Sequence, residues 1–297
     1  MKPVQTLLRL PILRRLAPSP VVPVVRLVGP IGASGTLRGG MTLSGVADPL
    51  ERAFALANAK AVALVINSPG GSPVQSALIA QRIRDLADEK KVKVYAFCED
   101  AAASGGYWLA CAADEIYAAE SSIIGSIGVV SASFGFPELL RKYGVERRVY
   151  SSGERKVILD PFDEEKEEDV ARLKALQEQV HENFKTMVRS RRGNRLKADE
   201  SSLFNGDFWV GQSAYELGLI DGVGELRRTM RGVYGEKVKL VPVATKRSWL
   251  RRNMPLGASL AGAALSGGEA RASLSQGWAD DLLSAVEERA LWGRLGL

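Results

Sequence analysis

The apolar positions of this chain alternate between two periods. Short runs rich in β-branched and aromatic residues, "VVPVVRLVGPI" (21–31), "AVALVIN" (61–67), "VKVYAFC" (92–98) and "EIYAA" (115–119), read as strands. Between them lie stretches with apolar residues at helical spacing. One falls around residues 48–59; another is "VQSALIAQRIRDLADEKK", which ends in lysines as a helix C-terminus prefers. A helix is also predicted at "DEEKEEDVARLKALQEQVHENFKTMVRSRRG" (163–193), acidic at its start and basic at its end, and it reads as a solvated covering helix. The alternation predicts an α/β fold with a parallel sheet flanked by helices. From about residue 254 the Gly/Ala/Ser-rich "MPLGASLAGAALSGGEARASLSQG" reads as a linker, followed by a terminal helix over 278–292. Three units result: a basic N-terminal segment (1–20), a core domain (21–245) and a C-terminal extension (246–297).

Charge narrows the partners. The net charge is +6, and six basic residues precede the first acidic one, Asp48; from Asp48 onward 34 basic and 34 acidic residues balance. The positive excess therefore belongs to the N-terminal segment, and no nucleic-acid-binding surface is implied. The opening "MKPVQTLLRLPILRRL" reads equally as a surface-lying membrane contact and as a solvated terminus. It makes a poor secretory signal, because arginines break its apolar core. No stretch reaches the roughly 18–20 consecutive apolar residues of a spanning helix. A cytoplasmic or peripherally membrane-associated protein is expected. Cys98 and Cys111, the two cysteines, suggest neither a disulfide framework nor a metal site and read as buried thiols.

In parallel α/β sheets, ligands collect beyond the carboxyl ends of the strands. "NSPGGS" (67–72) and "EDAAASGG" (99–106) each follow a strand directly, so two glycine-bearing loops meet where a site is expected. Ser104, set among alanines and glycines, is either a packing residue or a nucleophile. A nucleophilic hydroxyl needs a base and donors for the oxyanion it creates. His181 is the one histidine, and it falls within the long charged helix, which argues against a Ser-His-Asp triad. A lysine is the remaining type of base, effective when burial leaves its amine neutral. No metal or cofactor is implied, and there is no G-x-x-x-x-G-K-[ST] phosphate loop.

Four motifs in order, "NSPGGS", "ASGGYWLA", "GSIGV" and "YSSGERK", resemble the signal peptide peptidase A / protease IV family of serine proteases. The resemblance extends over about residues 21–230 and includes "FWVGQSAYELGLIDGVG" (208–224). It implies a Clp protease/crotonase-type fold and a Ser-Lys dyad. The serine of the S-G-G segment is Ser104 here, and the lysine just after an S-G turn is Lys156. By the same resemblance, backbone N–H groups of Gly71 and Gly105 form the oxyanion hole, and the Ser126 hydroxyl helps hold the lysine amine. The core domain is then a Ser-Lys peptidase domain. The family implies ATP-independent endopeptidase activity on hydrophobic peptides such as remnant signal peptides. It also implies homo-oligomeric rings in which the lysine can serve a neighbouring subunit. Family members usually carry a membrane-spanning N-terminal segment, and none is recognisable in these residues.

Two other readings compete. A crotonase-like acyl-CoA enzyme would share the fold but present a catalytic carboxylate, for which Glu99 and Asp100 are the candidates. A non-catalytic membrane-protein scaffold of the same fold would need no dyad at all.

Overall fold

Residues at alternate positions of the strands face opposite sides of one sheet, and both sides are covered. The computed structural model describes residues 19–32, 40–153, 155–244, 286 and 289–297. The basic segment before residue 19 and the linker predicted from about residue 254 lie outside the described residues. The strands are β1 (Val21–Val28), β2 (Ala61–Ser68), β3 (Lys93–Ala103), β4 (Glu115–Ala118), β5 (Ile123–Gly125), β6 (Phe208–Val210), β7 (Gly222–Val223) and β8 (Lys239–Pro242). The helices are α1 (Leu43–Phe54), α2 (Pro73–Lys90), α3 (Gly105–Cys111), α4 (Pro137–Lys142), α5 (Glu167–Arg192), α6 (Glu200–Leu203), α7 (Gly211–Glu216) and α8 (Leu226–Tyr234).

The sheet runs β6-β5-β3-β2-β1-β8, with β4 on β3 and β7 on β4. Its pairings are parallel except that between β5 and β6. Val62, Leu64 and Ile66 of β2 face the main core with helices α1, α2, α3 and α5, while Ala61, Ala63 and Val65 join Tyr95, Phe97 and Met230 of α8 on the other side. Coverage on both sides explains why these strands read as almost unbroken apolar runs. This is the parallel α/β architecture that the alternating pattern predicts.

Element boundaries shift from the sequence expectation, two of them for a visible physical reason. Helix α1 begins at Leu43, five residues early, because Thr42 caps it: the Thr42 side chain accepts from the Gly45 N–H. Strand β3 continues past Cys98 to Ala103. Its first half holds β4, and its last three residues hold β5. The alanines there carry little strand signal of their own, so the extension comes from pairing with β5.

A buried ion pair anchors the long helix. Arg192, the last residue of α5, is 2% exposed. It donates to Asp221 Oδ2 at 2.7 Å and to the Gly218 carbonyl at 2.8 Å. Asp221 also accepts from the Ile116 N–H at 2.8 Å, tying α5 to β4. Burial pushes the Asp221 carboxyl up, but the hydrogen bond and charge of Arg192 outweigh it and hold the group below the usual carboxylate range. A lowered acid adds stability above its unfolded-state pKa and loses it as pH falls through the folded-state value. The contribution is therefore complete at neutral pH and begins to fall below about pH 4, as the unfolded chain takes up the proton first. Arg192→Met is expected to destabilise the protein by about 2–3 kcal/mol at neutral pH, since Asp221 then keeps the Ile116 N–H and a single cation, the more exposed Arg195. Urea unfolding should show a lower midpoint at unchanged slope, and the difference from wild type should shrink at about pH 3.

Candidate functional site

Where β3 passes into α3, the chain makes a turn that only tight packing can hold. Ser104 has φ 51° and ψ −121°, a conformation that costs a non-glycine residue about 1–3 kcal/mol. Its N–H donates to the Gly125 carbonyl at 2.8 Å, and its carbonyl accepts from the Trp108 N–H at 3.0 Å. Its hydroxyl makes no hydrogen bond to a described residue, and it faces a cavity of about 720 Å³. A strained serine presented at a strand-to-helix turn is the geometry in which a hydroxyl is exposed for attack.

The neighbouring loop after β2 comes very close. Gly71 has φ +138°, and a Cβ there would overlap the Ile31 carbonyl oxygen. The Ile31 N–H donates to the Gly70 carbonyl at 2.8 Å, and the Ile31 carbonyl accepts from the Ser72 N–H at 2.7 Å. A Cβ on Gly105 would lie 3.4 Å from the Gly71 nitrogen. The N–H groups of Gly71 and Gly105 thus lie side by side next to Ser104, and neither has an acceptor among the described residues. Two unfilled donors at a helix N-terminus suit an oxygen that carries developing negative charge.

Asn67 aligns the two strand ends. Pairing of β2 with β3 slips between Ile66, opposite Cys98, and Ser68, opposite Ala102. Across that slip the Asn67 amide accepts from the Ala101 N–H at 3.2 Å and donates to Asp100 at 2.6 Å. The sequence reads Asn67 only as the last residue of a strand; its place directly before a Ser-Pro-Gly-Gly turn is the signal for this role.

Ser126 lines the same cavity as Ser104, held at φ 54° by an N–H bond to the Asp207 carbonyl at 2.7 Å. His181 lines it too, with Nε2 3.0 Å from the Ile127 carbonyl, which fixes that nitrogen as the protonated one. The middle of α5 is therefore not wholly a solvated face. Glu99 pairs with Arg26 at 3.0 Å, Asp100 is held by Asn67, and neither carboxylate lines this cavity. The two thiols are buried as expected. Burial pushes the Cys111 thiol up to about 11 and the Cys98 thiol higher still, so neither is a nucleophile at neutral pH.

Lys156 stands apart. It is exposed, does not line the cavity, and its amine makes no hydrogen bond or ion pair with a described residue. It belongs to a stretch from about residue 130 to residue 157 that shows large apolar groups to solvent. Phe134 is 81% and Tyr150 92% exposed, with Val145, Val149 and Val157 also bare. One folded chain therefore brings together Ser104, Gly71, Gly105 and Ser126 and leaves Lys156 outside.

The sheet and the cavity at its strand ends define an α/β protein with a serine-centred site. The chain belongs to peptidase family S49, whose model matches residues 86–239. A Brucella abortus protein named as the Na(+)/H(+) antiporter NhaA is 54% identical over 278 residues, 93% of this chain but 37% of that protein. A Synechocystis protein named as a protease is 34% identical, covering 63% of this chain and 69% of its own length. The chloroplastic serine protease SPPA of Arabidopsis thaliana is 34% identical over 172 residues, 58% of this chain and 25% of its own. The chain thus spans little more than a third of the Brucella relative. Among the described residues no helix is long and apolar enough to cross a membrane.

The crowding at Gly105 can be tested directly, because a Cβ there would overlap the Ser76 hydroxyl. Gly105→Ala should cost about 1–3 kcal/mol through overpacking, and adding Ser76→Ala should recover at least half of that loss. Thermal melts of the two single variants and the double variant give the coupling; strictly additive losses would contradict this packing.

Proposed function

We propose that this chain is an ATP-independent serine endopeptidase that cleaves hydrophobic peptides, with Ser104 as nucleophile and Lys156 as general base. The observation that carries the reading is the strained Ser104 beside the unfilled N–H groups of Gly71 and Gly105. Membership of a peptidase family supports the reaction type.

The Ser104 oxygen attacks the peptide carbonyl carbon while its proton passes to the neutral Lys156 amine. Negative charge collects on the former carbonyl oxygen, where the N–H groups of Gly71 and Gly105 receive it. The protonated amine then gives its proton to the departing nitrogen, leaving an ester on Ser104. Water attacks that ester, with Lys156 again taking and returning a proton. Ser126, on the same wall as Ser104, is suited to accept a hydrogen bond from the lysine amine.

This assignment requires that Lys156 be covered, since burial favours the neutral amine a base needs. The active form is therefore a homo-oligomer in which the segment around Lys156 of one copy lies over the cavity of the next. The bare apolar groups on that segment support it, because such a surface marks an interaction site. Substrates such as remnant signal peptides fit a site of this kind, and a peripheral contact with the membrane that holds them is part of the proposal.

Ser104→Ala and Lys156→Ala should each lower peptide hydrolysis at least about a thousandfold. The two inactive variants, co-expressed in equal amounts, should regain about a quarter of wild-type activity, because a quarter of the neighbour pairs then join an intact serine to an intact lysine. Full activity of Lys156→Ala alone would overturn the dyad. A mixture as inactive as its parts would overturn its assembly across copies.

A further inference from the structure

Part of the wall of the Ser104 cavity comes from the chain's own distant residues. Leu291, Arg294 and Leu295 line it together with Ser104 and Ser126. Leu295 is 9% exposed and rests on Ala101 and Ala103, the fully buried small residues that lead into Ser104. Trp292 and Ile123 close over the same spot. Small side chains at 101 and 103 leave a shallow floor beside the nucleophile, and a leucine fills it.

The form of this segment decides what it does there. Residues 289–293 are helical, and the chain then closes on itself: the N–H groups of Leu295 and Leu297 both donate to the Trp292 carbonyl, at 2.9 and 3.2 Å. A peptide held for cleavage lies extended, so that its backbone can pair with the strands around it. Here the backbone bonds are spent internally. The segment offers the cavity only side chains, so no peptide carbonyl of it is presented to the serine as an extended substrate would present one.

We propose that residues 289–297 are a built-in ligand of the peptide groove, which occupies the floor at Ala101 and Ala103 through Leu295 and Trp292 and holds it against substrate. The proposal rests on the reading of this groove as a peptide site. Substrate and segment compete for one apolar floor, so the protein is restrained until a hydrophobic peptide, or an event that draws the segment away, displaces it. A ligand tethered to its own site acts at high effective concentration, which lets a small contact restrain a large fraction of molecules.

The test uses the full chain carrying Leu295→Asp, with Val286→Asp as control, since Val286 precedes the segment by three residues and is 60% exposed. Covalent labelling of Ser104 by a fluorophosphonate and turnover of an apolar fluorogenic peptide should both rise roughly tenfold in Leu295→Asp and stay unchanged in Val286→Asp. A synthetic peptide of residues 286–297, added in excess, should slow Leu295→Asp again. Equal rates in wild type and Leu295→Asp, or the same rise in both variants, overturn the proposal while leaving the peptidase reading intact. If no protein labels or cleaves, the peptidase reading fails. Hydrogen exchange then decides the docking on its own: faster exchange over residues 101–104 and 289–297 in Leu295→Asp supports it, and unchanged exchange overturns it.

Discussion

The functional end of this molecule is governed by a lack of room. Three pieces of backbone, the loop after β2, the turn from β3 into α3, and the stretch after β1 around Ile31, meet where a Cβ at Gly71 would strike the Ile31 carbonyl and one at Gly105 would strike Ser76. The close approach does two things at once. It holds Ser104 at a positive φ that an isolated turn would relax, and it aligns two N–H groups that find no acceptor among the described residues. Strain of that size persists when surrounding structure over-determines it, and here the sheet supplies the determination. Strands β2 and β3 are central and buried on both sides, so their ends cannot drift apart.

The far end of the molecule is stabilised differently. Arg192 and Asp221 are charges taken out of water, each compensated by hydrogen bonds to the backbone as well as to the other. A pair of this sort adds little over apolar packing, but breaking it leaves a charge stranded, so it punishes misplacement of α5. That matters for the site, because α5 also carries Phe184, stacked on Trp108 of α3 with ring centroids 4.8 Å apart, and His181 on the cavity wall. The helix that reads as a solvated cover is also the back support of the Ser104 turn.

How much of this was legible in the residues follows from the range of the forces involved. Strands β1, β2 and the first half of β3 were readable because double-sided burial writes continuous β-branched runs into the sequence. The loops "NSPGGS" and "ASGG" were readable because glycine is demanded where backbones touch, and Ser104, Gly71 and Gly105 do meet in space. The last residues of β3 were not readable. Ala101, Ala102 and Ala103 favour no strand by themselves and are drawn into one by β5, some twenty residues on. The alignment made by Asn67 and the place of His181 on the cavity wall were not readable for the same reason: each is fixed by a partner, Ala101 or Ile127, remote in sequence. The pairing of Lys156 with Ser104 came from resemblance alone, and the single chain does not form it.

That last point links the exposed Lys156 segment to residues 289–297. A chain whose proposed nucleophile is ready but whose proposed base lies bare in solvent is incomplete as a monomer, and the exposed Phe134 and Tyr150 mark the surface on which completion would occur. Such a chain would also be guarded, since Leu295 already rests on the floor beside Ser104. The two features act on different requirements of the same reaction. Assembly would supply the neutral amine, and release of Leu295 would open the apolar floor. On the proposed reading, withholding both the base and the floor would confine cleavage to assembled copies that meet an apolar chain. Both proposed controls would work through the same force: one through apolar surface buried between copies, the other through apolar surface buried within one.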